Sequence, residues 1–135
     1  MTAKPPLPLL RRRILVIDDY VDAAESLRDV LLIYGHAVAI AHSAAEGLQR
    51  ARTFRPDVVV CELRLRHAAG WRLPAALRTL PRLAATRVIA LTVCARAEDV
   101  RRAFAAGFDA FLTKPADPKQ LIGLLGGGPP LPRYG

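Results

Sequence analysis

At 135 residues the chain has the length of a single domain. Hydrophobic residues make up 52% and charged residues 24%, which excludes disorder as a description of the whole chain. Twenty Lys+Arg stand against 12 Asp+Glu, a formal charge of +8, and such a balance raises nucleic acid or an acidic protein as a partner. The longest basic run is Arg11-Arg12-Arg13 and aromatics are 6%, so no base-stacking platform is visible. A solvated arginine-rich surface is the preferred reading, and nucleic acid is not expected. No uncharged apolar stretch reaches the roughly 18 residues of a membrane span. The Pro-rich start lacks the features of a secretory signal. Cys61 and Cys94 have no CxxC spacing. The expectation is a cytoplasmic protein with reduced thiols.

Residues 1–11 read as a Pro-rich tail and 126–135 as a Gly/Pro-rich tail, flanking one domain over 12–125. Ile14–Ile17 is a short β-branched run that predicts a buried strand. Apolar positions 24, 27, 30, 31 and 34 have helical spacing, and Gly35 supplies a stop. Ala37–Ala41 predicts a weak strand. Ser43 with Glu46 has capping-box spacing for a helix to Phe54, which Pro56 ends. Val58–Cys61 predicts a second strongly apolar strand. A helix is expected over Leu73–Thr79, after Gly70 and with Pro74 in its first turn. Val88–Leu91 predicts a strand, Glu98–Ala106 a helix closed by Gly107, and Ala110–Leu112 a short strand. Asp117 is placed to cap a last helix through Leu125. Five strands alternate with five helices, and the central strands are apolar on both faces, as covered parallel strands must be. Right-handed crossovers then give a doubly wound α/β sandwich.

In such a sheet the site lies beyond the carboxyl ends of the strands. The first strand ends in Asp18-Asp19, the third in Glu62 and the fourth in Thr92; Lys114-Pro115 follows the fifth. Adjacent carboxylates repel, and oxygen ligands of this kind suit Mg²⁺. A lysine and a hydroxyl suit an anionic oxygen.

These residues resemble the receiver domain of two-component response regulators, over Arg12–Leu125. The resemblance is carried by Ile14–Asp19, Pro56–Leu65, Gly70, Val88–Thr92, and Ala106-Gly107 through Phe111–Pro115. It implies a flavodoxin-like fold with a five-stranded parallel sheet in order 2-1-3-4-5. It also implies phosphoryl transfer from a histidine kinase, with Mg²⁺. By position, Asp18 and Asp19 with the residue at 62 would be metal ligands, and Thr92 and Phe111 the switch pair. Lys114 would meet the phosphoryl group, its bond to Pro115 expected cis.

The departure is at position 62, where the family's acceptor Asp is replaced by Glu62. One extra methylene carries the carboxylate about 1.5 Å further out. Phosphoryl transfer is mostly positioning, so phosphorylation is expected to be impaired and Mg²⁺ binding weak. Arg66 replaces the family's usual Pro, and Val93 stands where Ala or Gly is usual. Two arrangements of Glu62 are open. In one it pairs with Lys114, leaving Thr92 unengaged and Phe111 outward; in the other it mimics a phosphoryl group, meets Thr92, and Phe111 turns in. The ion pair is favoured, because a carboxylate carries less charge and fewer oxygens than a phosphoryl group.

The leading function is a pseudo-receiver signalling module, not an enzyme, whose partner is a histidine kinase or another signalling protein. The alternative is a basic module that binds nucleic acid or an acidic partner. A haloacid-dehalogenase-type phosphotransfer enzyme would need Asp-x-Asp after the first strand, and Asp18-Asp19-Tyr20 does not supply it. His36, His42 and His67 are too scattered for a metal site. Cys61 and Cys94 read as inert thiols rather than a redox pair. Trp71 reads as packing at a helix start, and Arg64, Arg66 and Arg72 as a solvated loop cluster.

Overall fold

A computed structural model describes residues 11–93 and 96–125. Cys94 and both expected tails, save Arg11, lie outside the described residues. The elements are β1 (Arg13–Ile17), α1 (Val21–Ile33), β2 (Ala37–Ala41), α2 (Ala44–Phe54) and β3 (Val58–Glu62). A 3₁₀ turn (Arg66–Ala68) leads into α3 (Ala69–Arg78). Then come β4 (Arg87–Thr92), α4 (Ala97–Ala105), β5 (Ala110–Thr113) and α5 (Pro118–Leu125). The five strands form one parallel sheet in the order β2-β1-β3-β4-β5, as the resemblance implied. Ile17 pairs in register with Cys61, and Glu62 with Leu91, so the carboxyl ends of β1, β3 and β4 share one rim.

The two-residue period of the strands divides the core. Ile14, Val16, Val58, Val60, Ile89 and Leu91 face one side, with Ala24 and Leu31 of α1 and Leu121 and Leu125 of α5. Leu15, Ile17, Val59, Cys61, Val88 and Ala90 face the other, with Leu73 and Leu77 of α3 and Ala103 of α4. Every residue of β3 is buried, which is why it reads as an unbroken apolar run.

Helix ends follow local chemistry. Ser43 Oγ accepts the Glu46 N–H at 3.1 Å. The return arm of the expected box lands one residue early, because Glu46 Oε1 accepts from the His42 N–H at 2.6 Å. Asp117 Oδ1 caps α5 through the Lys119 N–H at 2.9 Å. The expected helix over 73–79 needs correction: α3 begins at Ala69, and Pro74 sits inside it. Gly70, expected to precede the helix, lies inside it. A Cβ there would lie 2.5 Å from the carbonyl oxygens of both Glu62 and Leu63, so glycine lets the helix approach the end of β3.

Candidate functional site

The β-rim gathers the expected residues unequally. Asp18, Glu62 and Thr92 are buried, and the side chain of Lys114 is 16% exposed. The Lys114 backbone N–H donates to Thr92 O at 2.8 Å, which fixes where its side chain starts. The Lys114–Pro115 bond is cis. From there the ammonium reaches Asp18 Oδ2 at 2.5 Å and Glu62 Oε1 at 2.9 Å. The other carboxylate oxygens have backbone donors: Tyr20 N–H to Asp18 Oδ1 at 2.9 Å, and Arg64 N–H to Glu62 Oε2 at 2.8 Å. His42 Nδ1 lies 3.0 Å from Asp18 O and steadies the same turn. Burial lowers the Lys114 pKa, but hydrogen bonds to Asp18 and Glu62 and their negative charge outweigh it, so the net shift is upward.

Thr92 and Phe111 depart from the paired expectation. The Thr92 hydroxyl is buried without a hydrogen-bond partner among the described residues, as expected of the ion-paired arrangement. Phe111 is nonetheless 5% exposed, packed in the α2–α3–α4 side of the core. Its outward placement is therefore corrected. On a strand whose alternate residues, Ala110 and Leu112, face α1 and α5, Phe111 must face the other cluster, and the apolar ring gains by burial there.

The three expected metal ligands are not gathered into one set. Asp19 is exposed, the Lys114 ammonium lies between Asp18 and Glu62, and all four oxygens of that pair already face N–H donors. Among the described residues no three His, Cys, Asp or Glu side chains are placed to hold a metal ion. Cys61 is an inert thiol: burial pushes its pKa up, and Glu62 and Asp18 push it further. The cation in this site is a side chain.

The backbone donors of Tyr20 and Arg64 were not legible in the sequence, since any residue but proline carries such an N–H. Nor was the close approach at Gly70, where glycine alone does not tell a turn from a contact.

The response regulator receiver domain matches residues 14–125. The chain belongs to that family. An uncharacterized 14.6 kDa protein in the sodA1 3' region of Leptolyngbya boryana is 37% identical over 117 residues, covering 87% of this chain and 89% of the relative. The DNA-binding response regulator MtrA of Mycobacterium tuberculosis is 32% identical over 113 residues, 84% of this chain but 48% of MtrA. The receiver thus spans about half the length of that relative. A Burkholderia pseudomallei response regulator with a phosphorylated aspartic acid, calcium ion and citrate is 30% identical with a TM-score of 0.77, covering 84% of this chain and 66% of that one. Receiver domains generally bind Mg²⁺ at the phosphorylation site. No described helix is long and apolar enough to cross a membrane.

Proposed function

We propose that this receiver is a pseudo-receiver: a cytoplasmic two-component signalling module, not an enzyme, that a histidine kinase or another signalling protein reads without efficient phosphorylation. The observation that supports this is the Lys114 ammonium held between Asp18 and Glu62 at 2.5 and 2.9 Å, with Arg64 N–H on the second Glu62 oxygen. An acceptor oxygen must be free to attack in line, and positioning carries most of the catalysis. Here both Glu62 oxygens are engaged and the metal position has an internal cation. Incubation with acetyl phosphate and Mg²⁺, read by intact mass, should give no stable phosphoryl adduct. Glu62→Asp should gain one, because the shorter side chain draws back from Lys114 and Val93 is exposed. A robust adduct mapped to Glu62 in the unaltered protein would refute the reading.

The buried Phe111 favours a second reading, in which the outer face is held in an on-like state. The two readings differ in partner choice. A protein that recognises only activated receivers would bind this chain without a phosphoryl donor under the second reading, and not under the first.

A further inference from the structure

The +8 charge has a focus at the end of the sheet opposite the site. A cleft of about 260 Å³ opens there, lined by Arg12, Arg55, Arg82 and Arg87, with Thr86 and Leu125 in its wall. One carboxylate, Asp57, lines it, and that group already accepts the Arg13 backbone N–H at 2.8 Å. None of the four arginines has an acidic partner within 4.0 Å among the described residues; the ion-paired arginines are Arg28, Arg78 and Arg96. Two of the four are fixed in place by bonds to the end of α5: Arg12 Nε to Leu125 O at 2.9 Å and Arg87 Nη1 to Leu124 O at 3.2 Å. The other two, Arg55 and Arg82, are exposed and bear positive φ, 51° and 68°. Arg55 stands at the C-terminal cap of α2, where glycine is the usual residue. Two arginines in backbone conformations that disfavour side chains thus border the same cleft.

The flanking stretches 1–10 and 126–135 carry Lys4 and Arg133 and no Asp or Glu, so the chain's own flanks hold no acidic side chain to neutralise it. The cavity equals about nine water volumes, which suits one small group rather than a protein surface. Guanidinium forks match phosphate oxygens two at a time. A phosphoryl group carries about −1.5 to −2 charges at one point, whereas an acidic peptide spreads one charge per residue. We infer that this cleft is a binding site for a small, multiply charged phosphate compound of the pyrophosphate or nucleotide class. The inference is independent of the reading of Glu62.

The test is calorimetric titration with inorganic pyrophosphate at about 0.15 M salt, where dispersed surface charge is largely screened. Saturable one-to-one binding is expected. Arg55→Gln/Arg82→Gln should weaken it about tenfold or more, since each lost charge-assisted contact is among the stronger hydrogen bonds. Arg66→Gln/Arg101→Gln removes the same charge elsewhere and should weaken it less than about twofold, by screening. Amide shifts on the unaltered protein guard against a folding defect in the variants: those of Ala85, Thr86 and Val58 should move with pyrophosphate. Equal losses in both double variants would reduce the effect to net charge and overturn the proposal. So would no binding, shifts elsewhere, or binding of an oligonucleotide or a glutamate-rich peptide without pyrophosphate.

Discussion

Glu62 is one methylene longer than an Asp would be at the same position. The longer carboxylate reaches both the Lys114 ammonium and the Arg64 N–H, and a buried pair of acids is neutralised by one lysine. Removing that lysine strands two buried carboxylates. Lys114→Met is expected to cost about 3–5 kcal/mol, measured by urea unfolding, and adding Glu62→Gln should return part of it. The raised Lys114 pKa signifies stability that is complete below about 10.4 and lost only as pH climbs through the higher folded value. Thr92 offers the reverse case. Its buried hydroxyl has no partner among the described residues, so Thr92→Val should raise stability by about 1 kcal/mol. A loss instead would mean that the hydroxyl is bonded in solution, as a phosphoryl-like role for Glu62 requires. His36 is also buried; its Nδ1 accepts the Arg12 N–H at 3.0 Å. Burial lowers its pKa, and the charges of Arg12 and Arg11 lower it further. Stability is then full above about 6.5 and falls as pH drops below it toward the depressed folded value. Thermal melts between about pH 7.5 and 5 should show that slope. His36→Asn, which keeps an acceptor near Nδ1, should flatten it.

At the scale of elements, the end of β3 and the start of α3 form one unit. Gly70 sits in a helix, where alanine would ordinarily gain about 1 kcal/mol. The clash with two carbonyl oxygens opposes this, and backbone cannot swing aside as a side chain can. Gly70→Ala should therefore destabilise by about 1–3 kcal/mol net, read as a lower urea midpoint with an unchanged slope. The same change would displace the Arg64 N–H from Glu62, coupling helix packing to the site. Ser43 acts more locally: Ser43→Ala should cost about 1 kcal/mol through loss of the α2 cap.

Across the molecule, charge is polarised along the strands. Acids collect at the carboxyl rim with Lys114 among them, and arginines with no acidic partner among the described residues collect at the amino end. An ammonium between Asp18 and Glu62 competes with any cation for that rim. Mg²⁺ at about 1 mM should leave Tm nearly unchanged, because weak binding, with a Kd of about 1 mM or poorer as is expected of an open carboxylate site, stabilises by at most about 0.4 kcal/mol. A rise of several degrees that Asp18→Asn abolishes would show that Lys114 yields the place to the metal.

Local patterning was enough to read the alternation of elements. The unbroken apolar runs of β3 and β4 follow from burial on both faces and the period near four in α1 from helix geometry, and handedness leaves few ways to wind them. That is why Asp18, Glu62, Thr92 and Lys114 could be placed on one rim from their positions at strand ends, and why the Glu62–Lys114 pair was legible. The tertiary structure decided what each group does once there. Asp18 and Lys114 are 96 residues apart in the chain, and their bond depends on β1 and β5 flanking β3 and β4 in one sheet. Asp19 left the cluster because adjacent residues leaving a strand point to opposite sides. Phe111 turned inward while Thr92 stayed unbonded, since burial of an aromatic ring and satisfaction of a hydroxyl are separate free energies that no sequence spacing ties together.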